Sequence, residues 1–246
     1  MLMLATTFAM ARARLLPVRP VLSARNGKLK KGPVADAAGA VTGYQCPDKE
    51  IQIVKCTKAE ADVVIAANHY SKKPTKNSFL SLLVHYRGEV HGALQLGYGI
   101  RPKIKGEFAP EEMREFDRMW LSDDMPKFSE SIVLSMLHKY LQIAHPEIKV
   151  LISYSDTSVG NNGTIYRAAN YILIDDIKAD FYILPSGERV HPVSMWHRHK
   201  TRAWKTMQEL YPGIRKANGR QLKFAYYFDR KRASKIKPHV LRATNA

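Results

Sequence analysis

The spacing of apolar and polar positions sets out a series of short elements. Ile51–Lys55 (IQIVK) reads as a short strand. Thr57, with Glu60 three residues on, has the spacing of a reciprocal capping box. It predicts a helix to about Ala67, ending before Asn68-His69-Tyr70-Ser71. Phe79–Tyr86 is a strand by content, Arg87-Gly88-Glu89 a turn, and Val90–Leu96 the returning strand of a hairpin. A polar loop with Pro102, Gly106 and Pro110 leads to a strand at Arg114–Leu121. Val133, Met136, Leu137, Tyr140, Leu141 and Ala144 then recur at helical spacing. They predict a helix over about 130–144, capped by Ser129 or Ser131, with Pro146 just past its end. Lys149–Ser155 (KVLISYS) reads as a strand buried on both faces and closed by Asp156. A loop with Gly160 and Gly163, a short helix over Ile165–Asn170, and strands at Tyr171–Ile174 and Asp180–Leu184 follow. A turn at Pro185-Ser186-Gly187-Glu188, a basic helix over about His197–Leu210 and a strand at Leu222–Phe228 complete the pattern.

Strands joined by short turns must be antiparallel. The helix over 130–144 joins its two strands as a crossover, which makes that pair parallel. The expected fold is therefore a mixed α/β sheet with helices on its faces. At 246 residues the chain suits one domain with extensions. We divide it into a basic, disordered leader over 1–43, a core over 44–196, and a basic C-terminal extension over 197–246 that completes the sheet.

Charge changes this picture. The formal net charge is +17, but its distribution is uneven. Residues 1–35 hold seven Arg and Lys and no acid, and residues 197–246 hold fourteen against Glu209 and Asp229. The body between these ends is nearly neutral. Such an asymmetry points to a polyanion partner. In the C-terminal block the candidate phosphate contacts are Arg198, Lys200, Arg202, Lys205, Arg215, Lys216, Arg230, Lys231 and Arg232. No apolar run approaches the roughly 18 residues of a membrane span. The two cysteines, Cys46 and Cys56, form no CxxC pair and suit a reducing cytoplasm. His191, His197 and His199 lie close in sequence, but no carboxylate or cysteine stands at a diagnostic spacing, so no metal site is expected.

Several polar residues stand out of place for a core. Arg118 falls on a strand face with Phe116 and Trp120, as either an anion clamp or an edge arginine reaching water. Asp156 ends a buried strand, where open α/β sheets place ligands, and can be a general base or the start of an Asx turn. Ser129 and Ser131 at a helix start can hold an anion or simply cap. Asn68, His69, Tyr70 and Ser71 form a dense polar loop. Tyr166 and Asn170, four apart, share a helical face and can reach one pocket.

Together these residues carry a family resemblance. His69-Tyr70-Ser71, Asp117-Arg118-Met119-Trp120-Leu121, Ser129-Glu130-Ser131 and Ser153-Tyr154-Ser155-Asp156, followed by Gly163 to Tyr171, occur in an order that resembles the Mom family of phage DNA-modification proteins. The likeness spans about residues 50–228. It implies an acetyltransferase-like (GNAT) fold and conversion of adenine in double-stranded DNA to N6-carbamoylmethyl-adenine, which shields phage DNA from host restriction. It also implies functional roles for His69, Tyr70, Ser71, Arg118, Ser131, Asp156, Tyr166 and Asn170, and a host bacterial cytoplasm as the setting. An acyl-coenzyme A donor is implied by the acetyltransferase relationship. The glycine-rich pyrophosphate loop that would hold it is replaced here by Asp123-Asp124-Met125-Pro126-Lys127-Phe128-Ser129. An acetyltransferase acting on a protein or small-molecule amine, and a DNA-binding protein without catalysis, are the alternatives.

Overall fold

The computed structural model describes residues 31–99, 108–178 and 180–234. The first two strands, β1 (Gly32–Ala35) and β2 (Val41–Cys46), form a hairpin that pairs onto β3 (Ile51–Lys55). This corrects the expected disordered leader. Residues 32–43 belong to the sheet and bury Val34, while residues 1–30 lie outside the described residues.

Helix α1 (Lys58–Asn68) starts at the expected capping box, with Thr57 Oγ1 accepting from Glu60 N and Glu60 Oε2 accepting from Thr57 N at 2.8 Å. Such a cap contributes about 1 kcal/mol. Strands β4 (Ser78–Tyr86) and β5 (Glu89–Gly97) form the predicted hairpin. Arg87 and Gly88, both at positive φ, turn it in the sense that matches strand twist. β6 (Met113–Leu121) is followed by the crossover α2 (Ser129–Ala144) and β7 (Val150–Asp156). α2 is held by Val133, Leu134, Met136, Leu137, Tyr140 and Leu141, each at most 1% exposed. Truncating one such leucine to alanine costs about 2–5 kcal/mol. Neither expected serine caps this helix. Phe128, in the left-handed region at φ 68°, occupies that position.

α3 (Thr164–Ala168) and β8 (Ile172–Lys178) precede an insertion with a core of its own. The insertion contains β9 (Tyr182–Ile183), β10 (Arg189–Val190), α4 (Pro192–His199), α5 (Trp204–Leu210) and β11 (Arg215–Lys216). The single basic helix expected over His197–Leu210 is thus two helices, broken at Lys200, whose φ of 57° ends the first. β12 (Arg220–Tyr227) returns to the main sheet, and α6 (Arg230–Ala233) follows it.

The main sheet runs β1-β2-β3-β4-β5-β6-β7-β12-β8 among the described residues. Its pairs are antiparallel except β6–β7, the parallel pair that the crossover predicts. α2 covers one face, around Phe116 and Leu151. α1 covers part of the other, around Leu83, Ala93 and Trp120. This is the mixed α/β architecture expected from the sequence. Among the described residues no helix is long and apolar enough to cross a membrane.

Candidate active site

The parallel ladder is short. Its last pair is Phe116 with Ser153, although β6 continues to Leu121 and β7 to Asp156. The cause lies in β6. Opposite β5, Gln95 pairs with Arg118 and Leu96 with Phe116, so Asp117 is an inserted, bulged residue. The bulge reverses the alternation beyond it. Phe116 packs on the α2 side, whereas Trp120 packs with α1, which corrects the expectation that residues 116, 118 and 120 share a face. Where the ladder stops, Ser153 Oγ donates to the Phe116 carbonyl at 3.0 Å. Beyond that point the divergent strands bound a cavity of about 250 Å³.

His69 and Tyr70 form one wall, Asp117 and Met119 a second, and Tyr154, Tyr166 and the loop from Gly160 a third. His69 is buried at the end of α1. Its Nδ1 accepts the Ser71 backbone N–H at 3.1 Å and lies 2.8 Å from Ser71 Oγ, which puts the ring proton on Nε2. Burial, with help from Arg118 and Lys72, holds its pKa down to about 4, so the ring is neutral near pH 7. Ser71 therefore acts through His69. Tyr166 packs its ring against Phe224 and Tyr171 and has its hydroxyl within bonding reach of Ser153. Burial pushes that phenol up to about 12. Gly163 makes this packing possible, because a Cβ there would lie 2.3 Å from Phe224.

Arg118 is neither free nor at a sheet edge. Its Nε donates to the Lys73 carbonyl and its Nη1 to the Asp117 carbonyl, both at 2.7 Å. These bonds tie the His69–Tyr70 loop to β6. Of its two expected readings, Asp156 takes the Asx turn and not the general base. Oδ1 closes an Asx turn by accepting from Ser158 N at 2.9 Å and Ser158 Oγ at 2.6 Å. Oδ2 accepts from Arg189 Nη2 at 2.6 Å, joining the core to the insertion. Burial would raise this carboxyl, but the bonds from Ser158 and Arg189 outweigh it and hold its pKa below the ordinary value. Asp156 is consequently a firm anchor and a weak base.

Other expected residues are not gathered here. Ser129 is buried with Oγ donating to the Pro126 carbonyl, and Ser131 Oγ donates to the Phe128 carbonyl. Asn68 is exposed and bonds back to Val64 in its own helix. Asn170 does not share a pocket with Tyr166. α3 stops at Ala168, Asn170 turns left-handed at φ 63°, and it lines a separate groove with Ser131. His191 caps α4 and His199 bonds Tyr211, so neither is spare for a metal, and no cluster of three potential metal ligands occurs among the described residues.

The basic block is divided as well. Arg198, Lys200, Arg202, Lys205, Arg215 and Lys216 are exposed on the insertion, at the Asp156 end of β7. Arg198 is paired with Glu188 at 2.9 Å. Arg230, Lys231 and Arg232 follow β12 at the other end, beside Val150. Arg232 is bonded to both oxygens of Glu112 at 2.7 and 2.9 Å. A seven-residue strand separates the two groups by about 20 Å.

Comparison with known proteins places the chain in a family. The model of the Mom protein family matches residues 50–243. The chain belongs to the Mom protein family. Its relatives include methylcarbamoylase mom of Escherichia phage Mu, 32% identical over 171 residues, which are 68% of this chain and 70% of that protein. Solved structures of similar shape include ribosomal-protein-S5-alanine acetyltransferase from Vibrio fischeri, at a TM-score of 0.46 and 10% identity over 80% of this chain and 99% of that one. Another is IAA acetyltransferase from Bacillus cereus, at 0.41 and 10% over 72% and 99%. At such distance these likenesses say nothing about activity.

The loop before α2 of this Mom-family chain does not fit the pyrophosphate of coenzyme A. Asp123 and Asp124 stand exposed where an anion would bind. Ser122 and Asp124 bond each other, and both candidate serines turn back onto carbonyls. Two site features had no signal in sequence reasoning. Arg189 lies on β10 of the insertion, 33 residues after Asp156, and its partner could not be named in advance. Asp117 reads as an ordinary strand residue until the bulge turns it to the cavity.

Proposed function

We propose that this protein is a DNA-modifying transferase that adds a carbamoylmethyl group to N6 of adenine in double-stranded DNA and so protects that DNA from restriction. The observation that carries the reading is the cavity between the divergent β6 and β7, walled by His69, Tyr70 and Tyr166 and adjoining the basic insertion through Arg189. Membership of the Mom family and the methylcarbamoylase relative support a group-transfer enzyme. Exposed Lys200, Arg202, Lys205, Arg215 and Lys216 on the insertion suit phosphate contacts beside that cavity.

The chemistry follows from the substrate. The target amine lies inside the base stack, so the nucleotide must swing out into a pocket. Tyr70, 59% exposed at the rim, is placed to stack on it. Arg118 fixes the loop that carries Tyr70. Tyr166, protonated at neutral pH, donates a hydrogen bond to the leaving group of the donor. Asp156 holds the insertion against the core, so duplex binding and the pocket are coupled.

Nucleoside mass spectrometry of DNA from cells expressing the protein tests the reading. Modified deoxyadenosine, lost in Tyr166→Phe, is expected. Unmodified deoxyadenosine in the parent sample overturns it.

A further inference from the structure

The carboxyl of Asp117 enters the cavity beside the carboxyl of Glu115, within hydrogen-bonding reach of it. Two carboxyls bond each other when one of them carries the proton. Three other features hold Asp117 in place. The bulge in β6 presents it to the cavity. Gly97 leaves the room, since a Cβ there would lie 2.4 Å from Asp117 Oδ2. Thr75, 6% exposed, turns its hydroxyl toward Asp117, yet its Oγ1 reaches no partner at normal hydrogen-bond geometry. A buried hydroxyl without a partner is costly, and a polar group on a bound ligand would satisfy it.

We propose that Asp117, paired with a protonated Glu115, is the catalytic base that takes the proton from the substrate amine. This rests on the adenine-modification reading and adds the group that this reading leaves unassigned. The donor is taken to be a carbamoylmethyl group on a leaving group. The N6–CH2 bond forms, the bond from CH2 to the leaving group breaks with its electron pair going to that group, and the N6 proton passes to an Asp117 oxygen. When product leaves, Asp117 releases the proton to solvent. Glu115 remains protonated throughout.

The surroundings support this division. Burial, then the charge of Asp117 and the bond to it, push Glu115 up to about 8, against the opposing charges of Arg118 and Lys223. Asp117 is raised by burial, against the bond from Glu115, the nearby Thr75 hydroxyl and the charge of Arg118. The other titratable groups facing the pair are His69 and Tyr70 from the loop after α1, Tyr154 from β7 and Asp175 from β8. His69 is neutral, and Tyr154 is pushed up to about 12, so both stay uncharged near pH 7. A carboxylate with a raised pKa is the better proton acceptor, and Asp156, held low by Arg189, is the poorer one.

The test is single-turnover modification of duplex DNA by full-length parent, Asp117→Asn and Glu115→Gln proteins across pH 5–9. Asp117→Asn should lower the single-turnover rate constant by about 10²–10⁴-fold with DNA affinity unchanged. Glu115→Gln, which keeps a neutral hydrogen-bond donor, should lose the rate change expected of the parent near pH 8. An Asp117→Asn protein that turns over at the parent rate, or that loses only DNA affinity, overturns the proposal. So does a Glu115→Gln profile identical to that of the parent, which remains readable if Asp117→Asn fails to fold. A parent that modifies no adenine defeats the function reading instead, and the two failures are thereby distinct.

Discussion

Asp117 lines the cavity, Asp156 ends the neighbouring strand just after the lining residue Ser155, and the molecule treats the two carboxylates in opposite ways. Asp156 is closed into an Asx turn and paired with Arg189, which holds its proton affinity low. Asp117 is raised by burial, against the bond it takes from Glu115, and stands beside a threonine whose hydroxyl has no partner at normal hydrogen-bond geometry. The residue that looks catalytic from its place at a strand end is the one whose bonding is complete. The residue that looks ordinary has a bonding need that a ligand would meet. Position along a strand tells where a site lies, and the state of the bonding tells which group remains free to react.

Removing Arg189 should disturb this contrast most. Its pair with Asp156 is half-buried, between exposed pairs worth under about 1 kcal/mol and buried ones costing 3–5 kcal/mol when broken, so Arg189→Ala should cost about 2 kcal/mol in urea unfolding at pH 7. The loss should shrink at acid pH. A carboxylate with a lowered folded-state pKa stabilises above its unfolded value of about 3.9 and ceases to as pH falls through the folded one. A cost that is equal at pH 7 and pH 3 would remove the electrostatic account of Asp156.

Gly97→Ala attacks the other carboxylate. The new Cβ would meet Asp117 Oδ2 at 2.4 Å and the Asn77 carbonyl at 2.9 Å. Overpacking of this kind costs about 1–3 kcal/mol, and modification should fall further than stability does because Asp117 is displaced. Parallel unfolding and modification assays check this, and full activity in the variant would show that Asp117 need not sit where it does.

Glu115→Gln tests the shared proton through stability. A carboxyl raised in the folded state keeps its proton there after losing it in the unfolded chain, so the parent loses stability as pH rises from 4.5 to about 8. The glutamine variant should escape that loss. Its thermal midpoint should gain on that of the parent between pH 5 and pH 8, and a constant difference would place the shared proton elsewhere.

Much of the frame was legible from periodicity. The capping box of α1, the hairpin of β4 and β5, and the apolar stripe of α2 each depend on neighbours in sequence, and all three formed as read. Motif order likewise pointed to the Mom family before any geometry was known. β1 and β2 were not legible, because short strands rich in glycine and proline show little alternation and are fixed by pairing onto β3. The break at Lys200 also escaped, since helix-forming composition does not reveal one left-handed residue.

The sequence by itself determined the order of elements from β3 to β9, the crossover that makes one strand pair parallel, and the concentration of positive charge near the ends. These are consequences of local periodicity and of composition. The tertiary structure decided which polar residues meet. A single inserted residue in β6 moved Asp117 into the cavity and sent Phe116 and Trp120 to opposite faces. Packing of the insertion brought Arg189 onto Asp156 and left Asn170 and Ser131 in another groove. Register shifts and contacts across long stretches of chain depend on how whole surfaces fit, and no short window of sequence contains that information.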